Sequence, residues 1–225
     1  MSANRSGQTA RDVVYGRNPV REAKRGRRRV HRVWTAADTD VAELTRRAGS
    51  PDHQGVVADV DPYPYVDPQS LLRRPDALVV ALDQVQDPRN LGAICRSAEA
   101  AGAAGVVICE RRAAAITAAS AKASAGAVEH LPVARVRNLA DWLALARADG
   151  AWVYGASPEA AAPYSTLDLS GKVVLVLGGE GGGLRPRVAA GCDALARIPT
   201  TGRVGSLNVS AAAAVLLFAA SRAAP

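Results

Sequence analysis

Three stretches of this chain carry polar residues at places where a packed domain has little structural need for them. The first is LDQVQDPRNLGAICRSAEAAG, Leu82 to Gly102, in which an apolar run ends in a polar turn and a helical pattern begins near Asn90. On that helix Leu91, Ile94, Cys95 and Ala98 form the apolar stripe, which leaves Arg96 on another face. Helical side chains lean toward the N-terminus, so Arg96 is predicted to cross the small residues Gly92 and Ala93 and reach the strand end beside Asn90. A guanidinium there suits a phosphate or a developing anion. Taken alone, Asn90 serves equally as a helix cap and Arg96 as a solvated surface residue.

The second stretch, KVVLVLGGEGGGLRP from Lys172 to Pro186, runs a buried strand into a glycine-rich turn around a single carboxylate, Glu180. Glycines permit positive φ and let a ligand lie against the backbone, although such a turn is equally a tight connection. It is no phosphate loop of the GxxxxGK[ST] kind, and Leu184 stands where the last glycine of GxGxxG would follow Gly179 and Gly181. The third stretch, IPTTGRVGSLNVSAAAAVLLF, crowds Ser206, Asn208 and Ser210 at the entrance of an apolar helix. Capping explains one of them, and the helix N-terminus also favours an anionic group.

The elements that must position these residues follow from periodicity. Apolar runs at 77–82, 105–109, 131–136, 151–154, 173–177 and 194–198 alternate with helical patterns, of which 90–101, 139–148 and 207–222 are the strongest. Continuous apolar strands alternating with helices predict an α/β fold, a parallel sheet with helices on both faces. Ligands then sit beyond the carboxyl ends of the strands, where all three stretches begin. Upstream, a helix at 19–24, an apolar run at 30–34, a helix at 41–48 and a strand at 55–60 make a small α/β module over residues 1–60. Four prolines between Asp61 and Pro75 predict a Pro-rich linker at 61–75, leaving 76–225 as the main domain.

Charge is lopsided. The chain has a formal net charge of +7, yet residues 1–34 hold ten Lys or Arg against Asp12 and Glu22, and the remainder is nearly neutral. That density is a footprint for a polyanion, nucleic acid above all, with Arg21, Arg25, Arg27, Arg28, Arg29 and Arg32 as candidate contacts. Cys95, Cys109 and Cys192 are scattered without a CxxC pair, which argues against a disulfide framework or a metal site and for a reducing cytoplasm. No apolar run reaches the length of a membrane span. His31, His53 and His130 are isolated and read as structural.

Together, Asn90 with Arg96, Glu180 inside LGGEGGGL, and SLNVS at Ser206 to Ser210 resemble the SpoU or TrmH branch of the SPOUT superfamily of RNA ribose 2'-O-methyltransferases, in the family order. YGRNPVREA at Tyr15 to Ala23 and HQGVVA at His53 to Ala58 are similar to the ends of the N-terminal substrate-binding module of the ribosomal-RNA guanosine enzymes. The resemblance implies a C-terminal trefoil knot, a homodimer, and S-adenosylmethionine held by Leu177, Gly178, Gly179, Ile198, Pro199, Leu207 and Asn208. It implies a polar catalytic cluster of Asn90, Arg96, Glu180, Ser206 and Asn208, and no metal. Between Arg32 and His53 the segment is shorter than is usual in the family, which implies a trimmed module.

Large-subunit ribosomal RNA is the substrate this resemblance favours. The alternatives are a transfer-RNA ribose 2'-O-methyltransferase, a non-catalytic RNA-binding or ribosome-assembly protein of the same fold, and a nicotinamide oxidoreductase. Loss of Arg96, Glu180 or Asn208 would mark the non-catalytic case, and all three are present. The oxidoreductase lacks its GxGxxG turn.

Overall fold

The computed structural model describes residues 11–203 and 205–223, so the first ten residues of the expected N-terminal module lie outside it. The module folds as β1 (Asp12–Tyr15), α1 (Arg17–Ala23), β2 (Val30–Thr35), α2 (Val41–Ala48) and β3 (Val56–Val60), with an antiparallel sheet ordered β1-β3-β2. Asp40 caps α2 by accepting from the Ala42 amide, and Gly49 ends it with a φ of 64°. β1 is absent from the sequence expectation because four residues are too few for a periodic signal; pairing with β3 creates it.

The main domain continues with β4 (Leu78–Asp83), α3 (Pro88–Ala100), β5 (Gly105–Cys109), α4 (Ala118–Ala123), β6 (Val133–Val136), α5 (Leu139–Ala148), β7 (Trp152–Ala156), β8 (Ala162–Pro163), β9 (Val173–Gly178), α6 (Pro186–Ala189), β10 (Ala194–Arg197) and α7 (Val209–Ala223). All seven strands are parallel, in the order β6-β5-β4-β9-β7-β10-β8. α3, α4 and α7 cover one face, where Leu91, Ile94, Leu216 and Leu217 are buried, and α5 and α6 cover the other through Leu139, Leu143 and Val188. Each such side chain contributes about 1.5–3 kcal/mol of apolar burial.

Strand order explains the threading. β9 slots between β4 and β7, β10 lies on the far side of β7, and the chain then returns across the strand ends to lay α7 against α3.

Residues 61–75, expected as a Pro-rich linker, pack against the main domain. Leu71 and Leu72 are buried against α5's face, Pro68–Leu72 forms a 3-10 turn, and Val66 bridges Ala134. Proline sets the extended path, and burial of these apolar side chains fixes it.

The module is seated by the arginines that composition had assigned to a polyanion. Arg28 is 6% exposed and Glu129 1%; Arg28 Nε donates to Glu129 Oε2 at 2.9 Å, and Nη2 pairs with the other carboxylate oxygen. Arg27 Nη2 donates to Tyr63 Oη at 2.8 Å and to the Leu131 carbonyl at 2.9 Å. Tyr63 in turn donates to Leu131 at 2.7 Å, and burial pushes its hydroxyl pKa upward. Gly26 permits this approach, since a Cβ there would stand 2.6 Å from Glu129 Cβ. Hydrogen bonds from Arg21 and His130 hold Glu22 below its usual carboxylate range.

Removing one member of a buried ion pair strands the other charge, so Glu129→Ala is expected to cost about 3–5 kcal/mol in denaturant unfolding. The double variant Arg28→Met, Glu129→Leu should recover most of it. A single-variant loss below about 1 kcal/mol would show that the pair does not hold the module.

Candidate active site

β4 and β9 lie side by side, so the turns leaving them share one end of the sheet. Asp87 starts α3 by accepting from the Arg89 amide at 2.8 Å, with Pro88 in the first turn, and Asn90 in that turn is buried. After β9 the glycine-rich turn folds back on itself: the Gly183 amide donates to Gly179 O at 3.1 Å, and Gly181 and Gly183 have φ of 79° and 58°. It is therefore both a tight connection and a cavity wall.

Three distant segments meet at one carboxylate oxygen. Asn90 Nδ2 and Asn208 Nδ2 each donate to Glu180 Oε1 at 2.8 Å, and Asn208 Nδ2 also reaches Asn90 Oδ1 at 3.1 Å. Asn208 Oδ1 accepts from the Ser210 amide at 2.9 Å and from Ser210 Oγ at 2.6 Å. Asn208 is thus the cap of α7, which fixes its oxygen toward the helix and its amide nitrogen toward Glu180.

Above this triangle opens a cleft of about 760 Å³. Leu177, Gly178, Gly179, Ile198, Leu207 and Asn208 line it, as does Ser206; Pro199 is exposed between two lining residues. Leu195, Ala196 and Val209 add an apolar wall, and space is open beside Gly181 and Gly182. Among the described residues its ionisable members are Glu159 and Glu180, with no Lys or Arg. Such a lining suits a flat apolar ring joined to a cation and opposes a phosphate-bearing dinucleotide.

Arg96 does not join the triangle. It is exposed and makes no hydrogen bond or ion pair with a described residue. The path expected over Gly92 is occupied by α4: a Cβ on Gly92 would lie 2.5 Å from Ser120 O and 2.6 Å from Ala123 Cβ. Arg28 is buried in seating the module, whereas Arg21, Arg25, Arg27, Arg29 and Arg32 are exposed, Arg27 while also bonding Tyr63 and Leu131. Arg32 also lies over the Trp34 ring, 5.1 Å from its centroid.

A second pair escapes the sequence reading. Asp83, fully buried at the end of β4, accepts from the Arg185 amide at 2.8 Å and from Arg185 Nε at 2.7 Å, and this contact raises the Arg185 pKa. It staples the far end of the glycine-rich turn to the strand that launches α3. The one available sequence signal is a carboxylate closing an apolar run. The cysteines contribute packing: burial pushes Cys95 up to about 12, and Cys192 likewise. Among the described residues no group of three or more His, Cys, Asp or Glu is placed to hold a metal ion, and no helix is long and apolar enough to cross a membrane.

Residues 77–218 match the SpoU rRNA methylase family. The chain is 37% identical over 233 residues to a TrmH family tRNA/rRNA methyltransferase, YacO of Bacillus subtilis, spanning 92% of this chain and 94% of that one. It is 51% identical over 146 residues to the 23S rRNA (guanosine-2'-O-)-methyltransferase RlmB of Xanthomonas campestris, covering 65% of this chain and 59% of the relative. An AdoMet-bound rRNA methyltransferase from Sinorhizobium meliloti superposes with a TM-score of 0.83 at 29% identity, over 94% of this chain and 87% of that one. The fold and these similarities define a knotted S-adenosylmethionine-dependent methyltransferase. The chain belongs to the SpoU rRNA methylase family and is an RNA 2'-O-ribose methyltransferase.

Because Asp83 holds the turn that walls the cleft, Asp83→Ala is expected to weaken S-adenosylmethionine binding about tenfold, roughly 1.4 kcal/mol, in a calorimetric titration. Unchanged affinity in a folded variant would remove the staple from the account.

Proposed function

We propose that this enzyme methylates the 2'-hydroxyl of a guanosine in large-subunit ribosomal RNA, with the cleft as its cofactor pocket and Asn90, Glu180, Ser206 and Asn208 as its polar centre. The observation that carries this reading is the convergence of Asn90 and Asn208 on one carboxylate oxygen of Glu180, a residue that lines the cleft. Similarity to the Xanthomonas guanosine enzyme supports the choice of nucleotide.

S-adenosylmethionine supplies a methyl group already activated as a sulfonium, so the protein's task is alignment and charge control. Leu177, Gly178, Gly179, Ile198, Pro199 and Leu207 hold the cofactor, while Glu180 sets a negative charge beside a cationic ligand. Two amide donors keep that carboxylate oriented. Ser206 lines the cleft and can hydrogen-bond there. Arg96 acts from outside the triangle. A guanidinium is effectively always protonated, so its fitting role is to bind an RNA phosphate or the forming alkoxide rather than to take the proton, which passes to a phosphate oxygen or water.

Residues 1–60 form the RNA-binding module, 61–75 the strap that seats it, and 76–225 the catalytic domain. Arg21, Arg25, Arg29 and Arg32 supply phosphate contacts that give affinity with little sequence information. A homodimer and a cytoplasmic location complete the reading; the exposed apolar Phe218 on α7 supports burial against a second copy.

Mapping ribose methylation in RNA from cells with and without the gene tests the substrate, and loss of no guanosine 2'-O-methyl group would refute it. Neutralising Arg21, Arg25, Arg29 and Arg32 should flatten the plot of log affinity against log salt by roughly 0.7–0.9 per lost contact. Identical slopes would take these residues out of the interface. Arg96→Lys should lower turnover with little effect on cofactor affinity; near-normal turnover with a pH profile shifted toward the lysine would contradict the need for a planar fork.

A further inference from the structure

Beside the cofactor cleft lies a smaller cavity of about 310 Å³, walled by Gln84, Val85, Gln86, Asp87, Asn90 and Glu180. Glu180 lines both spaces, so an occupant of the smaller one lies next to the polar centre. One wall residue has an unusual backbone. Gln84 has a φ of 60°, in the left-handed region where a Cβ crowds its own backbone and glycine is favoured.

The turn itself does not call for a glutamine side chain. Asp83 is pinned by Arg185, and Gly179 packs so closely that a Cβ there would stand 2.5 Å from Gln84 O; both contacts would persist with glycine at position 84. Gln84 is intermediate in exposure, and its carboxamide makes no hydrogen bond with a described residue. Backbone strain kept at a cavity wall, with the carboxamide free to bond an occupant, directs attention to a ligand.

We propose that Gln84 is a specificity-determining residue, its carboxamide hydrogen-bonding the base of the target nucleotide seated in this smaller cavity. The inference rests on the RNA-methylating function proposed above and assigns the site's second compartment. No Lys or Arg lines it, while Asp87 and Glu180 contribute carboxylates and Gln84 and Gln86 carboxamides. An acceptor-rich wall suits a base that donates along its Watson–Crick edge. Guanine does so from both N1 and N2, whereas adenine and cytosine donate from one exocyclic amine and uracil from N3. Bases splayed out of single-stranded RNA are commonly read on that edge.

The test uses full-length wild type, Gln84→Gly and Gln84→Asn, with unmodified large-subunit ribosomal RNA transcribed in vitro and labelled S-adenosylmethionine. Because glycine relieves the left-handed strain, Gln84→Gly is expected to melt no lower than wild type and to bind the cofactor with unchanged affinity. Its KM for RNA should rise about tenfold or more, with kcat much less affected and methyl groups spreading to nucleotides other than guanosine. Gln84→Asn, which tolerates the left-handed region and keeps a shorter carboxamide, should fall between the two. Wild-type KM and wild-type nucleotide choice in Gln84→Gly would overturn the inference while leaving the functional reading intact. Absence of transfer by the wild type would overturn that reading, and the inference with it.

Discussion

One carboxylate oxygen ties the catalytic domain together. Glu180 Oε1 accepts from amides delivered by α3 and by the entrance to α7, elements that the sheet order brings together from positions 118 residues apart. Each amide has its orientation forced: Asn208 spends its oxygen on the α7 cap, so only its nitrogen is left for Glu180, and Asn90 then donates to Glu180 and accepts from Asn208. A network with a single satisfying arrangement positions its members without external help. The glycine turn, the loop after β10 and the start of α3 are consequently parts of one structure.

Close packing supplies the rigidity behind that triangle. Gly92 lets α4 lie directly on α3, and Gly179 lets the turn rest on the Gln84 backbone. Asp83 and Arg185 join β4 to the far end of the turn, a contact between residues 102 apart. Knotted threading and these short approaches serve the same end, because each denies the cleft walls room to drift. The N-terminal module is seated by hydrogen bonds and one buried ion pair, Arg28 with Glu129 and Arg27 with Tyr63 and Leu131, beside the packing of Ala118 on its own apolar cluster.

Much of this was legible in the residues. The parallel strands, the helices on both faces and the polar segments at strand ends follow from periodicity, because buried apolar runs and amphipathic stripes are local signals. What stayed hidden is long-range. Arg27 and Arg28 look like their basic neighbours in sequence, and only the fold shows that Glu129, Tyr63 and Leu131 are waiting for them. Arg96 has the right spacing to reach the strand end, but the small residues it would cross are small to admit α4. Composition likewise describes the prolines of residues 61–75 and is silent about Leu71 and Leu72 beneath them.

The central claim is that separate stretches of backbone form one pocket for a sulfonium donor, and hydrogen–deuterium exchange of the full-length protein with and without S-adenosylmethionine tests it most directly. Slowed exchange is predicted in residues 83–91, 178–185 and 198–209 together, with β1 to β3 unaffected. Protection confined to one of these stretches, or appearing chiefly in the N-terminal sheet, would contradict the account.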